Sequence, residues 1–133
     1  MKQAETIWLF DLDNTLHNAS AAVFPAIAQN MTQYMAQLLG SHFDLDAVNA
    51  LRMDYLKRYG ATLKGMVLHH GVREDDFLRE AHRFEDLPSL LRYERGLARV
   101  IANLPGRKVL FTNAPNLYAR QVMRFLRLHP HFD

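Results

Sequence analysis

The chain has 133 residues, which is enough for one small domain or for part of a larger one. Its hydrophobic fraction of 49% and charged fraction of 23% are ordinary for a globular protein. A formal net charge of +2 with mixed signs argues against a nucleic-acid-binding surface. The lack of cysteine excludes disulfides, thiolate metal sites and cysteine catalysis. There is no membrane-length apolar run and no signal-peptide pattern, so we expect a cytoplasmic protein that binds no membrane.

The hydrophobic pattern predicts two short strands, with helices between them and after the second. The first strand is predicted over residues 6–13, and a helix over about 20–39 follows it, with Ser20 as N-cap and Gly40 as the stop. A helix that begins at Asp44 or Asp46 is predicted to end near residue 59, and further helices are predicted over about 62–70, 74–84 and 94–104. The second strand includes residues 108–111, and Asn116 is predicted to cap a final helix that ends near residue 126.

Two carboxylates directly follow the first predicted strand. The uninterrupted apolar run at residues 7–10 is typical of a strand that is buried on both faces. Asp11 and Asp13 stand two residues apart, so both side chains point to the same side as the chain leaves the sheet. Carboxylates this close favour a site for a cation or for phosphate chemistry. The structural alternative is a turn in which residues 14–15 cap a helix.

A polar pair also follows the second predicted strand. Thr112 and Asn113 stand directly after the apolar run at residues 109–111. Open parallel sheets place their ligand crevices at the carboxyl ends of their strands. We therefore expect Thr112 and Asn113 to share one edge of the sheet with Asp11 and Asp13.

These segments resemble the haloacid dehalogenase (HAD) superfamily. Residues 11–16, Asp-Leu-Asp-Asn-Thr-Leu, resemble its first motif, and residues 111–114, Phe-Thr-Asn-Ala, resemble its second. Residues 59–66, with the His-His-Gly at 69–71, resemble the cap region of its pyrimidine 5′-nucleotidase-like branch. The segment 104–108, which leads into the second motif, resembles that branch as well.

The resemblance implies an α/β fold with an incomplete HAD-like, Rossmannoid core. About two parallel strands of that core are expected within residues 1–16 and 94–133. Residues 17–93 are expected to form an inserted, all-helical cap that closes over the active site and selects the substrate. Such a cap excludes water and strengthens the electrostatic contacts beneath it.

The resemblance further implies a Mg²⁺-dependent phosphomonoester hydrolase that forms an aspartyl-phosphate intermediate. Asp11 would be the nucleophile and a Mg²⁺ ligand. Asp13 would be the general acid and then the general base, while its backbone carbonyl binds the metal. The Thr112 hydroxyl and the Asn113 backbone amide would hold phosphoryl oxygens, assisted by backbone amides after Asp11, including that of Asn14.

The expected substrate is a pyrimidine nucleoside monophosphate, with Thr62 and Lys64 as candidate contacts in the cap. A solvated helix position explains Lys64 equally well. The adjacent histidines at 69–70 face different ways on a helix, so we expect them on the cap surface or near substrate rather than at a metal. The histidines at 129 and 131 are expected in a solvated tail.

The superfamily pattern has two further motifs, a lysine beside the nucleophile and an acidic metal site. No lysine or acidic pair follows Asn113 in this sequence. We therefore expect the amino-terminal part of such a protein, and two hypotheses stay open: an active phosphatase, or an inactive remnant that acts as a binding or interaction protein. Two strands alone leave open sheet edges, which a homodimer would cover.

Overall fold

The computed structural model describes residues 4–40 and 44–133, which form two compact units. Unit 1 comprises the described residues up to Phe24 together with Glu85–Asp133, and unit 2 comprises those of Pro25–Phe84. Unit 2 is therefore shorter than the predicted cap at 17–93. The two segments that connect the units belong to unit 1, where the backbone N–H of Asn18 donates to the Arg92 carbonyl at 2.6 Å.

Among the described residues there are two strands, seven α-helices and one 3₁₀ turn. In chain order these are β1 (Ile7–Phe10), α1 (Val23–Leu39), α2 (Leu45–Tyr59), α3 (Thr62–His70), α4 (Glu74–Ala81), α5 (Leu87–Leu90), α6 (Leu97–Asn103), β2 (Arg107–Leu110), α7 (Asn116–Phe125) and the 3₁₀ turn His129–His131. No helix among these residues is both long and apolar enough to cross a membrane.

The two strands lie side by side and run parallel, in a register that pairs Ile7 with Arg107 and Phe10 with Leu110. The predicted α/β class with a parallel sheet is confirmed. β1 ends at Phe10 rather than at residue 13, because the chain turns there and the amide of Leu16 donates to the Leu12 carbonyl at 2.9 Å.

Unit 2 packs its helices around a hydrophobic core of its own, formed by Met35, Val48, Tyr55, Met66, Val72 and Phe77. The caps of α2 confirm its predicted end and decide between its two predicted starts. The Asp44 side chain accepts a hydrogen bond from the Ala47 amide at 2.7 Å, as an N-cap should. Gly60 ends α2 in the left-handed conformation, at a φ of 78° that favours glycine.

Other helix ends differ from the prediction. α1 begins at Val23, because Ser20 hydrogen-bonds to Asn14 instead of capping a helix. α4 ends at Ala81, where the Asn30 side chain donates to the Ala81 carbonyl. α6 begins only at Leu97, since the preceding glycine has a left-handed φ of 85°. Asn116 is the first residue of α7 rather than its cap, and α5 was not predicted.

Both sides of β1 are exposed over Ile7–Leu9, so the prediction that this strand is buried on both faces is wrong for the described residues. Leu9 is 71% exposed, and Phe111, just after β2, is 73% exposed. Ile7 and Trp8 are also exposed. Among the residues described, β1 pairs with β2 alone, and Trp8 is partly covered by the ring of Phe10, whose centroid lies 6.3 Å away. An apolar run predicts a strand, whereas burial depends on which elements pack against it.

The segment after α7 packs against the sheet, although His129, one of the two histidines predicted in a solvated tail, is exposed. Leu128 is fully buried, and the ring of Phe132 packs edge-to-face on that of Phe10 at 5.6 Å between centroids. The backbone N–H of Asp133 donates to the Lys108 carbonyl at 2.9 Å. The segment is therefore held against the sheet, by an apolar contact with β1 and a backbone hydrogen bond to β2.

Candidate active site at the carboxyl edge of the sheet

The parallel register brings the two predicted motifs to one edge of the sheet. The amide of Phe111 donates to the Phe10 carbonyl at 2.7 Å, so pairing continues to the points where both strands end. Asp11 directly follows Phe10 at the end of β1, and Thr112 directly follows Phe111 after β2. This edge is where open parallel sheets bind ligands. The structure thus places the two turns that carry the candidate residues next to each other.

The turn after β1 is tight and fixes Asp11. The amide of Leu12 donates to Oδ1 of Asp11 at 2.7 Å, while Leu12 itself is fully buried. The amides of Thr15 and Leu16 both donate to the Leu12 carbonyl. A buried leucine therefore anchors the turn, and the exposed Asp11 carboxylate stands beside it with Oδ2 free of hydrogen bonds to the described residues.

Asn14 shapes the same turn through its backbone and its amide. Its φ is 60°, a left-handed conformation that asparagine tolerates better than most residues. Its Nδ2 donates to Oγ of Ser20 at 2.9 Å, and its Oδ1 accepts from the Ser20 amide at 3.1 Å. Because the side chain is engaged in this way, its backbone amide is the group that suits the predicted contact with phosphate.

Thr112 is half-buried and begins the turn after β2. Its Oγ1 accepts a hydrogen bond from the Ala114 amide at 3.1 Å, so the hydroxyl proton is available to a ligand. Asn113 is exposed between them. A cleft of about 750 Å³ opens from Thr112 along α7, and Arg120 and Arg124 line its wall. These guanidinium groups favour an anionic ligand on that side of Thr112.

Asp13 has two buried partners that the sequence prediction missed. The Tyr118 hydroxyl lies 2.7 Å from Oδ1 of Asp13, and Nε2 of His17 lies 2.8 Å from the same oxygen. Burial raises the pKa of the Tyr118 phenol, and the hydrogen bond to Asp13 raises it further, so the hydroxyl keeps its proton. The spacing of four residues between Asp13 and His17 was the sequence signal for one partner. Tyr118 gave none, because only the packing of α7 brings it there.

The oxygen atoms at this edge suit a Mg²⁺ ion that substrate phosphate and water also coordinate. Among the described residues, no three histidine or carboxylate side chains are grouped so as to hold a metal. Mg²⁺ at phosphoryl-transfer sites is, however, commonly held by one or two carboxylates together with substrate phosphate and water. The Asp11 carboxylate and the Asp13 backbone carbonyl are hard oxygen donors of this kind, whereas Oδ1 of Asp13 is already engaged.

Of the two candidates in unit 2, Thr62 has a hydrogen-bond partner within that unit and Lys64 is exposed. Thr62 is buried, and its hydroxyl donates to the Arg52 carbonyl at 3.2 Å, which fixes the start of α3 against α2. Lys64 is exposed on α3. The histidines at 69–70 each have Nε2 within hydrogen-bond distance of a tyrosine hydroxyl: His69 of Tyr59 at 2.6 Å and His70 of Tyr55 at 2.8 Å.

The comparisons with known proteins bear on family and fold. No family model matches the chain. The chain is 28% identical over 140 residues to Phosphate metabolism protein 8 of Saccharomyces cerevisiae (strain ATCC 204508 / S288c), in a match that covers 98% of the chain and 42% of that protein. The chain thus spans less than half the length of this curated relative.

A solved structure shares the fold. The crystal structure of a proposed phosphatase from Clostridium difficile matches 99% of the chain with a TM-score of 0.50 and 18% sequence identity. The match covers 60% of that protein. Together with the parallel strands and the helices around them, this similarity identifies the chain as an α/β protein with a Rossmann-like core.

Proposed function

We propose that this chain carries the nucleophile and the general acid of a phosphomonoester hydrolase. The main support is the parallel register, which sets the turn at Asp11 and Asp13 beside the turn at Thr112. The name of the yeast relative refers to phosphate metabolism, and that of the structural neighbour to a phosphatase. Both agree with a phosphate ester as the substrate class.

In the first proposed step, an Asp11 carboxylate oxygen attacks phosphorus. The new oxygen–phosphorus bond forms as the ester oxygen–phosphorus bond breaks, and Asp13 gives its proton to the departing alkoxide. The Thr112 hydroxyl and the Asn113 amide donate hydrogen bonds to phosphoryl oxygens while negative charge builds up on them.

In the second proposed step, Asp13, now a carboxylate, takes a proton from a water molecule. The water oxygen attacks phosphorus, and the bond between phosphorus and the Asp11 oxygen breaks. Inorganic phosphate leaves, Asp11 is regenerated as a carboxylate, and Asp13 is again protonated. One residue thus serves as acid and then as base, which requires its carboxyl group to be held in a fixed position.

In this proposal, the Asp11 carboxylate and the Asp13 backbone carbonyl would hold a Mg²⁺ ion. Its contribution would be to neutralise charge on the phosphoryl oxygens. A nucleoside monophosphate, with a pyrimidine base, is the finer substrate proposal, and it rests on the sequence resemblance in the segment 59–66.

The decisive experiment is phosphate release from uridine and cytidine monophosphates, with and without Mg²⁺. The variant Asp11→Asn is expected to lose all turnover and stay folded, because Asp11 is exposed and its neighbour Leu12 anchors the turn. Asp86→Asn is the matched control, an exposed carboxylate of unit 1 whose side chain makes no capping hydrogen bond. Turnover retained in Asp11→Asn would refute the nucleophile assignment.

A second candidate function is phosphate-ester binding without turnover. It is favoured by the lack of a group of three metal-ligating side chains among residues 4–40 and 44–133. In that case the unmodified chain should be as inactive as Asp11→Asn. Both proteins should then bind Mg²⁺ weakly and to a similar degree in a calorimetric titration, because one or two protein oxygens make a poor share of an octahedral site.

A further inference from the structure

Asp13 is held by two buried side chains that converge on a single oxygen atom. Tyr118 is 2% exposed and His17 is 4% exposed. Their hydroxyl and Nε2 lie 2.7 and 2.8 Å from Oδ1 of Asp13. Within the described part of the chain, every hydrogen bond of the Asp13 side chain goes to Oδ1. The other oxygen, Oδ2, is left for a ligand.

The geometry fixes which groups donate. A carboxylate oxygen that meets two neighbours at these distances accepts from both. The Tyr118 hydroxyl therefore donates its proton to Oδ1. The contact of His17 with the same atom assigns the ring proton to Nε2, the tautomer that can donate to a carboxylate. Nδ1 of His17 is buried without a hydrogen-bond partner among the described residues, which agrees with a bare nitrogen there. The 3.4 Å between the hydroxyl and Nε2 is the contact of two donors that share one acceptor.

The local fold explains why both partners reach Asp13. His17 lies at the end of the turn that begins at Asp11, and an isolated bridge joins it to Asp13. Tyr118 lies in the first turn of α7, directly after the turn that carries Thr112. The helix therefore ties the second motif to the first through this one hydroxyl group.

We propose that Tyr118 and His17 are positioning residues that occupy Oδ1 of Asp13 and so make Oδ2 the atom that transfers the proton. The inference rests on the proposed function, in which Asp13 is the general acid. With two donors already on Oδ1, the acidic proton of a neutral Asp13 resides on Oδ2. Rotation of the carboxyl group, which would exchange the two oxygens, breaks two partly buried hydrogen bonds and is opposed by their energy.

A leaving-group comparison tests this role. A nucleoside monophosphate expels a strongly basic alkoxide that needs a proton, whereas p-nitrophenyl phosphate expels a stable phenolate that needs little help. Tyr118→Phe removes only the hydroxyl. It is expected to lower kcat/KM for uridine monophosphate about tenfold, and that for p-nitrophenyl phosphate less than about threefold. kcat/KM is the appropriate quantity because it covers the steps up to loss of the leaving group.

Matched variants separate positioning from a structural effect. His17→Leu is expected to show the same unequal loss, and His17→Gln, which keeps an N–H near the position of Nε2, is expected to recover much of it. Tyr34→Phe and His131→Gln are the controls, since neither side chain hydrogen-bonds to Asp13 and neither lines a cleft at the candidate site. Equal losses on the two substrates in Tyr118→Phe would overturn the proposal.

A measurement without turnover distinguishes failure of this inference from failure of the proposed function. In ¹⁵N NMR spectra of histidine-labelled protein, His17 is expected to carry its proton on Nε2, and its signals should shift in Tyr118→Phe. A bare Nε2 would overturn the positioning role whatever the activity. If the unmodified chain hydrolyses neither ester, the proposed function fails, and a protonated Nε2 then still supports the hydrogen bonds to Oδ1.

Discussion

The two units treat their apolar side chains in opposite ways. In unit 2, the large side chains of the core are enclosed by its own helices, and Phe77 is almost fully buried with its ring edge-to-face on Tyr34 at 5.5 Å. In unit 1, the strands that carry the candidate site expose Leu9 and Phe111. Unit 2 therefore obtains its hydrophobic stabilisation within itself, whereas the sheet of unit 1 leaves much of its apolar surface uncovered.

Apolar residues therefore have different roles in the two units. The helices of unit 2 need their apolar residues for stability, so changes there should cost free energy of unfolding. The exposed apolar residues of β1 contribute little to the free energy of unfolding. They are available to pack against a further structural element or a second copy of the chain. The homodimer predicted for the open sheet edge therefore stays a proposal that stability measurements can test.

The largest effect is expected from a pair of truncations, one in each unit. Phe77→Ala should lower the free energy of unfolding by about 3–5 kcal/mol, because it leaves a cavity in the core of unit 2. Leu9→Ala should change it by less than about 0.5 kcal/mol, since the side chain already contacts solvent. Urea unfolding followed by far-UV circular dichroism measures both. A large loss in Leu9→Ala would mean that the sheet is covered in solution, and analytical ultracentrifugation would then show whether a dimer covers it.

A smaller but clear effect is expected where α3 approaches α2. A Cβ at Gly65 would overlap the Tyr55 ring, so Gly65→Ala should cost about 1–3 kcal/mol through overpacking. Lys64→Ala, at the exposed neighbouring position, is the matched control and should be nearly neutral. The same urea titration applies. Equal stability of the two variants would show that the contact between α2 and α3 is looser than the structure indicates.

In unit 1, the turn at the candidate site should be sensitive to Asn14. Asn14→Ala loses both hydrogen bonds to Ser20 and forces alanine into a left-handed conformation, for a cost of about 1–2 kcal/mol. Asn14→Gly loses the same hydrogen bonds without the strain, so it should be more stable than the alanine variant by up to about 1 kcal/mol. Fluorescence of Trp8, the single tryptophan, reports unfolding of unit 1. The reverse order of stability would contradict the left-handed φ of Asn14.

The smallest effect is expected at the segment that lies against β2. Nε of Arg107 lies 2.7 Å from Oδ2 of Asp133, with both side chains half-exposed. Asp133→Asn should lower the free energy of unfolding only slightly, and the loss should shrink at high ionic strength because salt screens exposed charges. Trp8 fluorescence at low and high salt measures it. A loss that does not depend on salt would point to the backbone hydrogen bond to Lys108 instead.

Much of the local structure could be predicted from single residues. Gly60 and Gly71 end helices in left-handed conformations, as their positions after apolar periodic segments predicted. Asp44 caps α2 for the same local reason. The helix ends that differed from the prediction depended on contacts with distant residues, such as the hydrogen bonds from Asn30 to the end of α4.

The candidate site likewise contains residues that a local sequence pattern predicts and a residue that only tertiary packing brings there. The sequence alone located Asp11, Asp13 and Thr112, because carboxylates and hydroxyls that follow apolar strands are a local pattern. It did not reveal Tyr118, which stands 105 residues from Asp13 and reaches it only when α7 packs beside the turn. Hydrogen bonds between such distant residues depend on the tertiary arrangement and leave no periodic signal in the sequence.

The sequence by itself determined the two strands, most helices, the α/β class and the pair of carboxylates after the first strand, since these follow from the spacing of apolar and polar residues along the chain. The roles of individual residues in phosphoryl chemistry are what the family resemblance implies. Only the tertiary structure decided which apolar residues are buried and which oxygen of Asp13 is free. Burial and hydrogen-bond partners depend on elements brought together from distant parts of the chain. The exposed Leu9 and the shared Oδ1 of Asp13 are the two results that no local pattern contains.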